Sequence, residues 1–266
     1  MSFSISGKTA IVTGGANGIG LAIGRHFADK GANVMFADID EEQLVAQLGA
    51  NEEGSNRRYF AGDLRERLTL ANLLSATVDA FDQVDILVNA SRQVVASDPL
   101  DPDQDAVEML LQQNLITALR MSQLVARRMI RQAGDSDEDT VGTIVNLSSI
   151  AARHAHPDLL AFSVSSAALE QMTRSLAVAL APHRIRVNAL AFGSVMSASL
   201  MDTLRGHRDY RRDIEAHTPL GRIAPATVLA EAAQYLACDS SGFMTGQVMT
   251  VDGGRSLLDP VAAPAH

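Results

Sequence analysis

Two groups of residues in this 266-residue chain have the types and spacing for chemistry. The first is Thr13-Gly14-Gly15-Ala16-Asn17-Gly18-Ile19-Gly20, which follows a short apolar run and leads into a helical stretch, Leu21 to Lys30. Glycines at such a junction let the backbone turn sharply and approach a pyrophosphate, while the free N–H groups of the helix start offer partial positive charge. A glycine cluster alone is a common turn, but Asp38 closes the next apolar run, 18 residues beyond Gly20. A carboxylate there accepts hydrogen bonds from a ribose diol and repels a 2′-phosphate, which favours NAD(H) over NADP(H). The second group is centred on Ser149, a hydroxyl closing another apolar run, with His154, His156 and Pro157 just beyond it.

Apolar runs and helical stretches must hold these residues in place. Thr9–Val12, Asn33–Ala37, Arg58–Ala61, Ile86–Val88, Thr143–Leu147, Arg186–Leu190 and Gln247–Val251 read as seven short strands. Runs without polar alternation suit strands covered on both faces, as in a parallel sheet. Helical stretches between them, such as Val107–Arg131 and Phe162–Leu180, make the expected fold a doubly wound α/β domain, a Rossmann-type seven-stranded parallel sheet. One domain over residues 1–255 and a tail at 256–266 are expected. The acidic stretch Gly134-Asp135-Ser136-Asp137-Glu138-Asp139 reads as a solvated surface loop.

Composition narrows the partners. The chain is 47% hydrophobic and 20% charged, enough apolar material for a sizeable core. Its net charge of −9, with no basic stripe, argues against nucleic acid and for a small molecule or another protein. No apolar run is long enough to span a membrane, and no export signal is visible, so the expected location is the cytoplasm. A single cysteine, Cys238, leaves no internal disulfide and no multi-cysteine metal site.

Taken in order, Thr13-Gly-x-x-x-Gly-x-Gly, Asp63-Leu64, Asn89-Ala90, Asn114, Asn146-Leu147-Ser148-Ser149, Arg184-Ile185-Arg186-Val187-Asn188 and Val251-Asp252-Gly253-Gly254 resemble the short-chain dehydrogenase/reductase family. The likeness runs from Lys8 to Arg255. It implies NAD(H) contacts from Gly14, Asn17, Gly18, Ile19, Gly20, Asp38, Ile39, Asp63, Leu64, Asn89, Ala90, Gly193 and Val195. Asp63 would sit near the adenine amino group, and Asn89 and Ala90 would pass along the cofactor. Ser149 would orient the substrate oxygen, with Asn114 assisting from a central helix. The likeness also implies a dimer or tetramer, packed through the helix containing Asn114 and the helix Phe162–Leu180, with a second interface near Val251–Gly254.

At the catalytic end the pattern fails. The family's proton-transferring tyrosine is expected thirteen residues after Ser149, and that position is Phe162; its lysine is expected four residues on, and that position is Ser166. Phenylalanine has no exchangeable proton, and general acid–base catalysis typically supplies about 10²–10⁴-fold. Two further departures accompany these: Ser91 follows Asn89-Ala90 where glycine is usual, and Phe192 precedes Gly193 where proline is usual. Ser163, His154, His156 and Tyr210 are the candidates for an alternative proton path.

Three functions are compatible with this pattern. One is a pseudoenzyme: an NAD(H)-binding, non-catalytic or weakly active subunit or regulator, in a homo- or hetero-oligomer that could include an active homologous subunit. Another is an active NAD-dependent oxidoreductase on a hydroxyl or carbonyl group, alcohol or oxoacyl, using an atypical acid. The segment Ser194–Thr218, with Met196, Leu200, Met201, Leu204 and Tyr210, would then be the substrate lid. A lyase or isomerase using Ser149 and a histidine is the third.

Overall fold

In the computed structural model, which describes residues 3–259, β1 (Thr9–Thr13) is wholly buried and is an interior strand of one sheet. Its neighbours are β2 (Asn33–Asp38) and β4 (Ile86–Asn89), both parallel to it. With β3 (Arg57–Ala61), β5 (Gly142–Ser149), β6 (Ile185–Phe192) and β7 (Val248–Val251) the order is β3-β2-β1-β4-β5-β6-β7, and every pairing is parallel. This is the expected seven-stranded, doubly wound α/β fold. The strands run one or two residues beyond most of the apolar runs, because polar ends such as Asp38, Asn89 and Ser149 still belong to the ladder.

Successive side chains of a strand face opposite sides, and the two cores follow that alternation. Ala10 and Val12 join Ile23, Phe27, Phe36, Leu229 and Ala233 on one face, under α1 (Gly18–Asp29) and α9 (Thr227–Ala237). Ile11 joins Leu73, Leu87, Met121, Val125 and Val187 on the other, under α3 (Arg67–Phe81), α5 (Thr117–Ala133) and α6 (Leu160–Leu180). A short α2 (Glu41–Leu48) caps the β2–β3 edge. Chain order reverses direction between β1 and β4, so a crevice opens at their carboxyl ends, where ligands bind in open α/β sheets.

Three expectations need correction. The stretch Val107–Arg131 is helical throughout, as expected, but not uniformly α: α4 (Val107–Leu110) passes into a π-helical turn, Leu111–Ile116, before α5 begins. The first helix starts at Gly18 rather than Leu21, so its N-terminus lies inside the glycine loop. The later helix starts at Leu160, not Phe162. The acidic stretch is a loop, tied down where Arg184 donates to the Ser136 and Glu138 carbonyls. The lid segment forms α7 (Ala198–Gly206) and α8 (Arg208–Ala216). Of the tail, residues 260–266 lie outside the described residues. Among the described residues no helix is long and apolar enough to cross a membrane, and no cluster of His, Cys, Asp and Glu is placed to hold a metal.

Candidate functional site

A cleft of about 290 Å³ opens at the carboxyl ends of β1 and β4. Gly14, Asn17, Gly18, Ile19, Gly20, Asp38, Ile39 and Ala90 all line it, together with Ser91, Arg92, Gln93 and Gln113. The glycines are sterically required. Gly14 has φ of +67°, and a Cβ there would lie 2.9 Å from the Ala90 carbonyl oxygen and the Ser91 Cα. A Cβ on Gly20 would lie 2.1 Å from the Gly14 carbonyl oxygen. Asn17 is the N-cap of α1 without a side-chain cap, so the first N–H groups of that helix are left for a ligand. Thr13 fixes the floor: its hydroxyl oxygen accepts from the amides of Ala90 and Ser91 at 3.0 and 3.1 Å.

Asp38 stands where β2 ends. One carboxylate oxygen accepts from the Ala16 amide at 3.0 Å and the other from the Asp40 amide at 3.2 Å, which orients the group in the cleft wall. A smaller hollow of about 90 Å³ shares Asp38, Ile39, Ser91, Gln93 and Gln113 with the cleft and adds Asp63, Leu64 and Arg65. There the Arg65 guanidinium hydrogen-bonds both Asp63 oxygens and holds that carboxyl below its ordinary pKa. A glycine turn, a free helix N-terminus and a strand-end carboxylate in one crevice fit a dinucleotide: phosphates at the turn, a ribose diol at Asp38.

Other expected contacts lie elsewhere. Asn89 turns its amide inward, donating to Ser122 Oγ at 3.0 Å and Asn146 Oδ1 at 2.8 Å; Asn146 in turn donates to Thr173 Oγ1 at 2.9 Å. A buried strand-end amide is satisfied by its neighbours when they are polar, and these are. Gly193 and Val195 line a separate hollow of about 80 Å³ with Leu220 and Val228.

The Ser149 end is built from β5, β6 and α6. Ser149 is buried, and its Oγ accepts from the Ala151 amide at 3.1 Å, which leaves the hydroxyl hydrogen for another acceptor. Phe192 is its register partner on β6. Phe162 is 5% exposed and packs with Leu110 and Ala161; Ser166 is buried one turn on. Asn114 sits in the π-helical turn, where its amide exchanges hydrogen bonds with the Gln93 backbone at 2.8 and 3.0 Å and donates to Ser165 Oγ at 3.2 Å. Among the alternative proton carriers, His154 is exposed, His156 accepts from the Asp158 amide, and Tyr210 stacks on His207 with centroids 4.3 Å apart. The Ser163 hydroxyl is buried without a hydrogen-bond partner.

One residue absent from the sequence reading joins the two ends. The partly buried Arg92 lines the cleft, and its guanidinium carbon lies 4.2 Å from the Phe192 ring centroid and 5.5 Å from that of Phe162. Nη1 donates to the Ser148 carbonyl at 3.5 Å. Burial pushes the guanidinium pKa down to about 10. Arg153 and Arg174, by contrast, both pair with Glu170. The only signal in the sequence is a cation directly after Asn89-Ala90-Ser91, because its ring partners lie far along the chain.

A second cleft, of about 300 Å³, lies at the amino ends of the strands around Lys8, Gln83, Asp85 and Gln132. Burial raises the Asp85 pKa, but its carboxylate already accepts from the Thr9 amide and from the Gln83 and Gln132 side chains, which marks a structural joint.

A family model described as enoyl-(acyl carrier protein) reductase matches residues 14–256. An uncharacterized oxidoreductase of Thermotoga maritima is 32% identical over 257 residues, covering 95% of this chain and 97% of that protein. The L-rhamnose 1-dehydrogenase (NAD(P)(+)) of a Sphingomonas species is 32% identical over 254 residues, covering 94% and 96%. Among solved structures, a 7α-hydroxysteroid dehydrogenase complexed with NADH and 7-oxo glycochenodeoxycholic acid superposes with a TM-score of 0.86 at 27% identity, covering 95% of this chain and 96% of that one.

Proposed function

The chain belongs to the short-chain dehydrogenase/reductase family of oxidoreductases, and within it we propose an NAD(H)-dependent enzyme acting on a hydroxyl or carbonyl group by a proton path that does not use position 162. The observation that carries this reading is the shared lining of one cleft by the glycine loop, the start of α1 and Asp38. When bound, the nicotinamide supplies or accepts the hydride. The chain's own residues do the rest. The α1 N-terminus and the Gly14–Gly20 backbone hold the phosphates, and Asp38 accepts from the adenosine ribose and repels a 2′-phosphate. Ser149 donates its free hydroxyl hydrogen to the substrate oxygen.

A second reading, a non-catalytic subunit beside an active relative, is favoured by Phe162 and Ser166 at the two positions where the resemblance to this family implies tyrosine and lysine. Exposed Val164 and Val178 on α6 support an oligomer under either reading. One measurement tests both readings and a second separates them. Fluorescence titration should show NADH binding at least tenfold tighter than NADPH; no binding of either overturns both. A panel of alcohols and ketones should then show turnover by the native chain. If turnover appears only in the double variant Phe162→Tyr with Ser166→Lys, the subunit reading stands and the enzyme reading fails.

A further inference from the structure

Among the described residues Arg92 has no carboxylate partner, yet it is held in a defined place. Two phenyl rings flank its guanidinium, one carbonyl accepts from it, and it lines the cleft at the border of the Ser148–Ser149 strand end. A cation–π contact fixes a guanidinium without neutralising it, and a desolvated charge gains most from a paired oxyanion. The planar fork matches carboxylate and phosphate groups bidentately. Asp38, the acid that lines the same cleft, accepts from the Ala16 and Asp40 amides and forms no ion pair with Arg92, while Glu170 is held by Arg153 and Arg174 and Asp63 by Arg65. Three departures then describe one construction. Phe162 and Phe192 wall the cation, and Ser166 leaves the nearby helix face without a competing positive charge.

We propose that Arg92 is the recognition residue for an anionic substrate, a hydroxy or oxo compound carrying a carboxylate or phosphoryl group that pairs with the guanidinium while Ser149 holds the reacting oxygen. The inference rests on the oxidoreductase reading for the reaction, but its test reads binding. The full chain, with and without NADH, is titrated by calorimetry with 2-oxo and 4-oxo acids of four to eight carbons, with their methyl esters, and with hydroxyalkyl phosphates and their neutral dimethyl triesters. At least one acid or phosphate should bind tenfold or more tighter than its uncharged ester, and which series binds tells the source of the anion. Arg92→Gln, checked by thermal melting to be folded, should abolish that preference, and Arg92→Lys should restore part of it.

Equal binding of acids and esters, or binding of neither, overturns the proposal. It is also overturned if Arg92→Gln leaves the preference intact and instead weakens NADH, which would make the cofactor phosphates the counter-ion. Tighter NADH binding in that variant with an unchanged preference would show an obstruction rather than a receptor. Arg92-dependent anion binding without NADH oxidation keeps the inference and sinks the hydride-transfer reading. Turnover of neutral ketones unaffected by Arg92→Gln does the reverse.

Discussion

Asp63 and Arg65 show how a local pair can stand between sequence and site. Asp63-Leu64 is legible as a motif, but Arg65, two residues on, forms hydrogen bonds to both carboxylate oxygens. The folded-state pKa of Asp63 is lowered, chiefly by the Arg65 side-chain hydrogen bond, so its contribution to stability is present above the ordinary value of 3.8 and is lost as pH falls through the folded value. Arg65→Ala should move the Asp63 carboxyl titration, followed by NMR, upward toward 3.8 and remove that part of the acid limb; an unmoved midpoint would refute the pairing. Arg92 is the opposite case. Nothing local in Ser91-Arg92-Gln93 announces it, because rings contributed by α6 and β6 give the guanidinium its place.

Elements with one dominant cause were readable from sequence, and those shaped by tertiary contacts were not. The seven strands are continuous apolar runs because both sheet faces are covered; the existence of α1 was equally legible, but its start at Gly18 rather than Leu21 was not, because the glycine loop itself enters the helix. The π-helical turn at Leu111–Ile116 carries no such mark. Asn114 directs its amide to the Gln93 backbone, and the Thr117 hydroxyl donates to the Gln112 carbonyl five residues back, arrangements that no periodicity encodes. The glycine loop is the element most exposed to a single change. Gly20→Ala forces a Cβ against backbone atoms of Gly14 and Thr13, which cannot swing aside as a side chain would. It should cost about 1–3 kcal/mol by chemical denaturation and weaken NADH binding in the same titration. A variant of unchanged stability and affinity would show that the loop relaxes freely.

At the scale of the whole molecule, the fold and the meeting of the glycine loop with Asp38 were legible in the sequence, whereas the inward turn of Asn89, the separate hollow of Gly193 and Val195, and the setting of Arg92 required the folded chain. The outer face of α6 leaves Val164 39% and Val178 78% exposed, spaced fourteen residues apart and so close to one side of the helix. Val164→Glu with Val178→Glu should shift the sedimentation profile from an assembled species to the monomer; a native chain that already sediments as a monomer would refute this use of the face. The interior row Ser122–Asn89–Asn146–Thr173 runs from α5 through β4 and β5 to α6. It works as a tie bar between the outer helices and the strand ends beneath the crevice. Prying either helix outward breaks a polar link whose four members are all buried, so each helix is held to the strand ends by more than apolar packing.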